Sequence, residues 1–172
     1  PTPLSLDEVK KLAFPTAAGF ERNVPRLGWN LVRDAQGKVL GYAVRSSPSS
    51  DEINGYAGPS ETLIAVDADQ LTLRKIILRE TYDTTQYVQR IYDDEEYLKS
   101  LTKWNTKEWP KIDFTSAQLE GVAGATLTSY AIAEGIKQRT VPARVQQPPV
   151  IMLSVYFNQR CTDIAQQSRR AR

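Results

Sequence analysis

Two pairs of extended runs occupy the first half of the chain, and a short polar turn joins each pair. "WNLVRD" and "KVLGYAVRS" flank a turn containing Gly37, and "TLIAVD" and "LTLRKIILRE" flank the turn "ADQ". Their Val, Ile and Tyr side chains suit a pleated surface. Turns this short can join only antiparallel strands. The pattern predicts two β-hairpins, with one strand end of the second buried on both faces because apolar residues fall on both of its sides.

Helical patterns lie on either side of these hairpins. "SLDEVKKLAF" places Ser5 and Glu8 at the spacing of a capping box and is ended by Pro15. After the hairpins come "TTQYVQRIY", "DDEEYLKSLTKW" and "TSYAIAEGIKQR", in which apolar residues recur at helical spacing. Hairpins followed by helices, without strict alternation, predict an α+β fold: an antiparallel, strongly twisted sheet of hairpins with flanking helices.

The regular pattern stops near residue 140, where "VPARVQQPPV" introduces three prolines. We therefore predict one domain over residues 1–140 and a linker with a C-terminal extension over residues 141–172. The extension ends on the basic "SRRAR", which would be either solvated or turned toward anionic lipid. No apolar run approaches the roughly 20 residues that cross a bilayer.

Composition removes several classes of function. The chain has no histidine, which excludes His-dependent catalytic triads and zincin-type metal sites. Its one cysteine, Cys161, excludes an intrachain disulfide and a thiolate metal cluster. The 22 basic and 20 acidic side chains give a net charge of only +2, so charge offers no argument for nucleic-acid binding. "DDEE", Asp93 to Glu96, is predicted to be a solvated helix start, and no catalytic or metal-binding residue is predicted.

The stretch "GVAGATLTS", residues 121–129, is the strongest candidate for a binding site. Small residues remove side-chain bulk just before a predicted helix, and hydroxyl side chains follow. A helix N-terminus offers unpaired backbone N–H groups and a partial positive charge, which together favour a phosphate. The stretch has no P-loop lysine and no dinucleotide-binding spacing. On these residues alone, an ordinary helix cap remains the alternative to a phosphate site.

"EGVAGATLTS" resembles the flavinylation motif of the FMN-binding domain family, in which an acid, two variable residues and Ser or Thr precede Gly-Ala-Thr. That family includes small subunits of sodium-pumping NADH:quinone reductases and of Rnf complexes, and nitrous-oxide-reductase regulatory, polyferredoxin-linked proteins. "GKVLGYAV", "INGYAGPSETLIAVDADQLTLRKIIL" and "DTTQYV" also look like the family's segments, in the expected order. The resemblance covers roughly Leu4 to Arg139 and is nearest the regulatory branch.

The resemblance implies that FMN is joined through its phosphate to Thr126, the threonine of Gly-Ala-Thr. Two positions depart from the family pattern. Glu120 stands where aspartate is usual and keeps the carboxylate, whereas Ala123 replaces Ser or Thr and removes a hydroxyl. If that hydroxyl only helps to hold the phosphate, its loss weakens FMN binding. If a flavin transferase must recognise the hydroxyl, covalent attachment fails.

Two further segments are candidates for contact with the flavin ring. "GYAGP", Gly55 to Pro59, is either a glycine turn that lets the ring approach the backbone or a plain turn into the next strand. Asp83 and Thr84 match the family's acid-Thr pair, with Glu80 and Thr81 as the runner-up pair. Tyr82 and Tyr87 are candidate ring neighbours, although such aromatic residues usually belong to the core. The predicted cofactor-binding residues are Gly121, Ala123, Gly124, Ala125, Thr126, Leu127, Thr128, Glu120, Asp83, Thr84, Tyr56 and Gly58.

The resemblance therefore implies an FMN-carrying electron-transfer domain rather than a stand-alone enzyme. It also implies an extracytoplasmic position on the periplasmic side, a membrane anchor in a longer parent chain, an iron–sulfur or haem redox partner, and a flavin transferase. Two alternatives remain open: a non-redox sensory or interaction module of the same fold that has lost covalent flavin, and a flavin reductase that uses free FMN.

Overall fold

The computed structural model describes residues 2–23, 29–114 and 119–140. Two short 3-10 turns, Leu101–Lys103 and Trp109–Lys111, accompany the regular elements. In chain order the helices and strands are α1 (Leu6–Leu12), β1 (Ala17–Asn23), β2 (Trp29–Asp34), β3 (Val39–Arg45), β4 (Ser60–Asp67), β5 (Leu73–Thr81), α2 (Thr85–Asp93), α3 (Glu95–Ser100) and α4 (Thr126–Thr140).

The strands form one antiparallel sheet in the order β1-β2-β3-β4-β5, so each strand pairs with its neighbour in sequence. The predicted α+β class and both predicted hairpins are confirmed. Strand β1 was not predicted, because "AAGFERN" contains a glycine and no β-branched residue, and its pairing with β2 is irregular between Ala17 and Gly19. Burial on both faces is most extensive in β4, the first strand of the second hairpin.

The sheet carries a separate apolar cluster on each face. Alternate residues of β4 divide between them, with Leu63 and Ala65 in one cluster and Ile64 and Val66 in the other. Val9 and Leu12 of α1 belong to the first cluster, whereas α2, α3 and α4 contribute to the second. Because side chains alternate across a strand, α1 and α4 cover opposite faces of the sheet.

Helix α1 is fixed to the sheet by a buried arginine. Arg79 of β5 donates from Nε to the Glu8 carboxylate at 2.6 Å and from Nη1 to the Glu61 carboxylate at 2.9 Å. Burial would raise the pKa of Glu8, but hydrogen bonds from Arg79 and Ser5 lower it to about 2. Glu8 also completes the predicted capping box with Ser5.

Helix α4 packs against β4 on the other face, and Thr126 and Leu127 in its first turn are exposed. No helix within residues 2–23, 29–114 and 119–140 is long and apolar enough to cross a membrane. The predicted linker and extension, residues 141–172 with Cys161, lie outside the described residues.

Candidate functional site

A tight turn leads into α4. Gly124 has a φ of +75°, a left-handed conformation that favours glycine. The Ala125 N–H donates to the Val122 carbonyl at 2.9 Å, and the Ala125 carbonyl accepts the first helical hydrogen bond, from Ser129. The backbone N–H groups of the first turn, at Thr126, Leu127 and Thr128, therefore precede the helical hydrogen-bond ladder. Ala125 has no side-chain acceptor to cap them.

The three hydroxyl side chains of this turn have different environments. Thr128 is buried, and its hydroxyl donates to the Asp83 carboxylate at 2.6 Å. Ser129 is also buried; its hydroxyl donates to the Thr126 carbonyl and accepts from the Val122 N–H. Thr126 is exposed, and its hydroxyl makes no hydrogen bond to any residue that the structure describes. Of these three hydroxyls, only that of Thr126 is free, within the part of the chain that the structure describes, to contact a ligand.

The carboxylate of Asp83 connects three segments of the site. Oδ2 accepts from the Thr128 hydroxyl and from the Tyr56 N–H at 3.0 Å, and Oδ1 accepts from the N–H groups of Ala57 and Thr84, both at 2.7 Å. Burial would raise the pKa of Asp83, but these four hydrogen bonds hold it below its usual value. Asp83 thereby joins the 55–58 turn and the start of α2 to the first turn of α4.

The glycines of the 55–58 turn are required by this packing. A β carbon at Gly55 would lie 1.9 Å from Asp83 Oδ2 and 3.1 Å from the Thr128 Cα. A β carbon at Gly58 would lie 2.4 Å from the Tyr82 carbonyl oxygen. Neither position has room for a side chain, so "GYAGP" is more than a plain turn into β4: it brings its backbone against Asp83 and α4.

Apolar surface is exposed on the segments that Asp83 joins. Tyr56 is 63% exposed and its ring lies 4.8 Å, centroid to centroid, from that of Tyr87 on α2. Leu127, in the first turn of α4, is 54% exposed. Tyr82 is also largely exposed. Of the two tyrosines predicted as ring neighbours, Tyr87 is partly buried against the core and pairs with Tyr56, whereas Tyr82 lies outside the core.

A charged side chain that the sequence did not single out completes the site. Arg90 of α2 is exposed, and its Nη1 and Cζ lie 2.8 and 3.0 Å from the point where a β carbon at Gly124 would stand. The guanidinium therefore lies over the turn that precedes Thr126. Helical spacing already predicted that Arg90 is on a helix, but nothing in the sequence distinguishes it from an ordinary solvated arginine.

The predicted site residues fall into two groups. Most lie in the three joined segments: Tyr56 and Gly58, then Asp83 and Thr84, then Gly121 to Thr128. Glu120 is exposed, and none of its contacts within the described residues ties it to the others. Of the runner-up pair, Glu80 lies beside Arg79, whereas the Thr81 hydroxyl bonds that of Ser60 and accepts from the Asp83 N–H at 3.2 Å. A contact between Asp83 and the flavin stays a prediction. The roughly four acceptor positions of its carboxylate are already occupied by donors of the protein.

These features define a helix N-terminus whose unpaired N–H groups suit a phosphate, with exposed apolar side chains on the neighbouring segments. A sequence model of the FMN-binding domain family matches residues 55–140, half of the chain. The chain belongs to that family. No curated protein and no solved structure matches it.

The family identifies FMN as the cofactor, and the residues present fit it. The N–H groups at the start of α4, which have no partner within the helix, suit a phosphate. Gly124 keeps the approach free of a side chain, and a β carbon there would meet Arg90. Thr126 supplies an exposed hydroxyl at the same point. The exposed Tyr56 and Leu127 are suitable neighbours for the apolar ring system.

Proposed function

We propose that this chain is the FMN-carrying electron-transfer domain of a membrane-associated redox protein, with the flavin joined through its phosphate to Thr126. One observation carries the proposal. Among the three hydroxyls of the first turn of α4, Thr128 and Ser129 are buried and hydrogen-bonded, whereas Thr126 is exposed and free within the described residues.

Attachment at Thr126 requires one bond to form and one to break. Thr126 Oγ1 forms an ester bond to the flavin phosphorus and loses its proton, while an activated flavin nucleotide held by the flavin transferase loses its leaving group from the same phosphorus. The product is a phosphodiester that keeps a single negative charge. The helix N-terminus stabilises that charge through its N–H groups and dipole.

The protein's own residues supply attachment and orientation. When bound, FMN supplies the redox chemistry. Asp83 holds the 55–58 turn and α4 together through fixed hydrogen bonds, and Gly124 lets the phosphate approach the backbone. The Asp83 carboxylate is fully occupied and the chain has no histidine, so the site offers no evident base for activating a small substrate. This supports electron relay between proteins over turnover of a metabolite.

One observation favours a second candidate function. Ala123 is exposed at the turn and has no hydroxyl to offer to a phosphate or to a transferase. If attachment depends on that hydroxyl, the chain is a non-redox sensory or interaction module of the same fold.

Visible absorption before and after acid precipitation tests the proposal. After co-expression with a flavin transferase, we expect a yellow protein whose pellet stays yellow, because acid unfolding does not cleave the phosphodiester. A yellow supernatant over a colourless pellet would show free FMN, as expected of a flavin reductase. A protein that is colourless from the start would favour the non-redox module. Either of the last two results contradicts covalent attachment.

We also propose an extracytoplasmic position on the periplasmic side, with an iron–sulfur or haem protein as redox partner. Membership of the family supports this placement, since the transferase works on that side in the proteins that the chain resembles. Reporter fusions at Arg172 of the natural protein test it. We expect activity from a reporter that works only in the periplasm and none from one that works only in the cytoplasm; the reverse pattern would overturn the localisation.

A further inference from the structure

Arg90 lies over the turn that precedes α4 without an ion pair to any residue that the structure describes. Its guanidinium lies over Gly124, with Nε 3.3 Å from the site of a missing β carbon, yet it makes no hydrogen bond or ion pair with any residue that the structure describes. Four arginines of the sheet differ in this respect, since each contacts a carboxylate: Arg33, Arg45, Arg74 and Arg79.

The surroundings of Arg90 favour an anion. Gly124 has no side chain between the guanidinium and the turn, and the N–H groups of the first turn of α4 begin two residues later. Ala123 contributes no donor. The site carboxylate Asp83 is held by four donors of its own, none of which is Arg90. Arg90 therefore brings a formal positive charge to the turn at which an anion would meet the start of α4.

We propose that Arg90 is a ligand of the FMN phosphate and supplies the donor that Ala123 lacks. A guanidinium presents paired N–H groups that match two oxygens of a phosphate. In this arrangement α2 contributes directly to cofactor binding, and the turn residue Gly124 is small so that the guanidinium and phosphate can meet above it. This inference rests on the proposed placement of the phosphate at α4, but not on covalent attachment.

Non-covalent binding of FMN and of riboflavin, which has no phosphate, tests this role. The full chain is expressed without flavin transferase, and each flavin is titrated by fluorescence quenching. We expect Arg90→Gln to weaken FMN binding on the order of 10- to 100-fold, the range for a charge-assisted hydrogen bond to a phosphate, and to leave riboflavin binding unchanged. Arg90→Lys should weaken FMN binding less than Arg90→Gln does, because lysine keeps the positive charge but lacks the paired N–H groups of a guanidinium.

Lys10→Gln is the matched control, since it also removes one exposed positive charge but lies on α1, across the sheet from α4. It should leave both affinities unchanged. Adding Ala123→Ser to Arg90→Gln should restore part of the FMN affinity. Salt should weaken FMN binding to the wild-type chain more than binding to Arg90→Gln.

Two results would overturn the role of Arg90. The first is an equal loss of FMN and riboflavin affinity in Arg90→Gln, which would show a general change of the site. The second is FMN affinity within threefold of wild type. If non-covalent binding is too weak to titrate, the labelling rate at limiting flavin donor gives the same comparison between Arg90→Gln and Lys10→Gln. Failure of labelling at Thr126 is detected separately with the transferase present, so the two proposals can fail independently.

Discussion

Thr126→Val abolishes covalent flavin when the chain is co-expressed with a flavin transferase. Valine has nearly the shape of threonine but no hydroxyl, so the phosphodiester cannot form. Since Thr126 is exposed and makes no hydrogen bond within the described residues, the change should alter stability by no more than about 0.5 kcal/mol. The measurement is the flavin absorbance of the acid-precipitated pellet per chain, with thermal unfolding as the check on folding.

Thr126→Ser is the matched control because it keeps a hydroxyl at the same position. It should retain covalent flavin, although the transferase can label it more slowly. Full labelling of Thr126→Val would instead move the acceptor to another residue. Thr128 would then be the next candidate, although its hydroxyl is buried against Asp83.

Asp83→Ala should give the largest loss of stability among the site variants, about 3 kcal/mol. The reason is that the Thr128 hydroxyl and the N–H groups of Tyr56, Ala57 and Thr84 all lose their acceptor, and a buried donor left unpaired costs roughly 1–3 kcal/mol. Water at the more exposed donors keeps the total below a simple sum. Urea denaturation at neutral pH measures the free energy of unfolding.

Two further variants define what Asp83 contributes. Asp83→Asn should fall between wild type and Asp83→Ala, because its amide keeps one acceptor oxygen but turns an NH2 toward a donor. Glu52→Ala removes an exposed acid close to the same turn and should change stability by less than about 0.5 kcal/mol. An Asp83→Ala protein as stable as Glu52→Ala would contradict the role given to this carboxylate.

The effect of Asp83 on stability should depend on pH. Its pKa is lowered in the folded state from the ordinary 3.8, so the ionised carboxylate stabilises the fold above that pH. This contribution is lost as the pH falls through the lower, folded-state pKa. The stability difference between wild type and Asp83→Ala should therefore be constant above about pH 5 and shrink below pH 4.

Periodicity and turn chemistry were sufficient to predict most of the fold. The two hairpins and the four helices follow from alternation, capping and helical spacing, which are local properties of the sequence. Strand β1 was missed because "AAGFERN" has weak strand propensity, and its place at the edge of the sheet depends on pairing with β2. Such pairing is a tertiary contact that local patterns do not encode.

The candidate site was predictable only in part. The small residues and hydroxyls of 121–129 indicated a phosphate at a helix start, and the family resemblance selected Thr126. The sequence did not show that the Asp83 carboxylate accepts hydrogen bonds from four donors of the protein, or that Arg90 lies over Gly124. Both depend on how α2, α4 and the 55–58 turn meet, and Asp83 and Thr128 are 45 positions apart in the chain.

Peptide mass mapping of the wild-type chain, co-expressed with a flavin transferase, tests the central claim most directly. We predict that the peptide containing Thr126 gains the mass of FMN less one water, as a phosphodiester requires, and that fragmentation places the gain on Thr126 rather than on Thr128 or Ser129. An unmodified Thr126 peptide, or a flavin located on any other residue, would contradict the account.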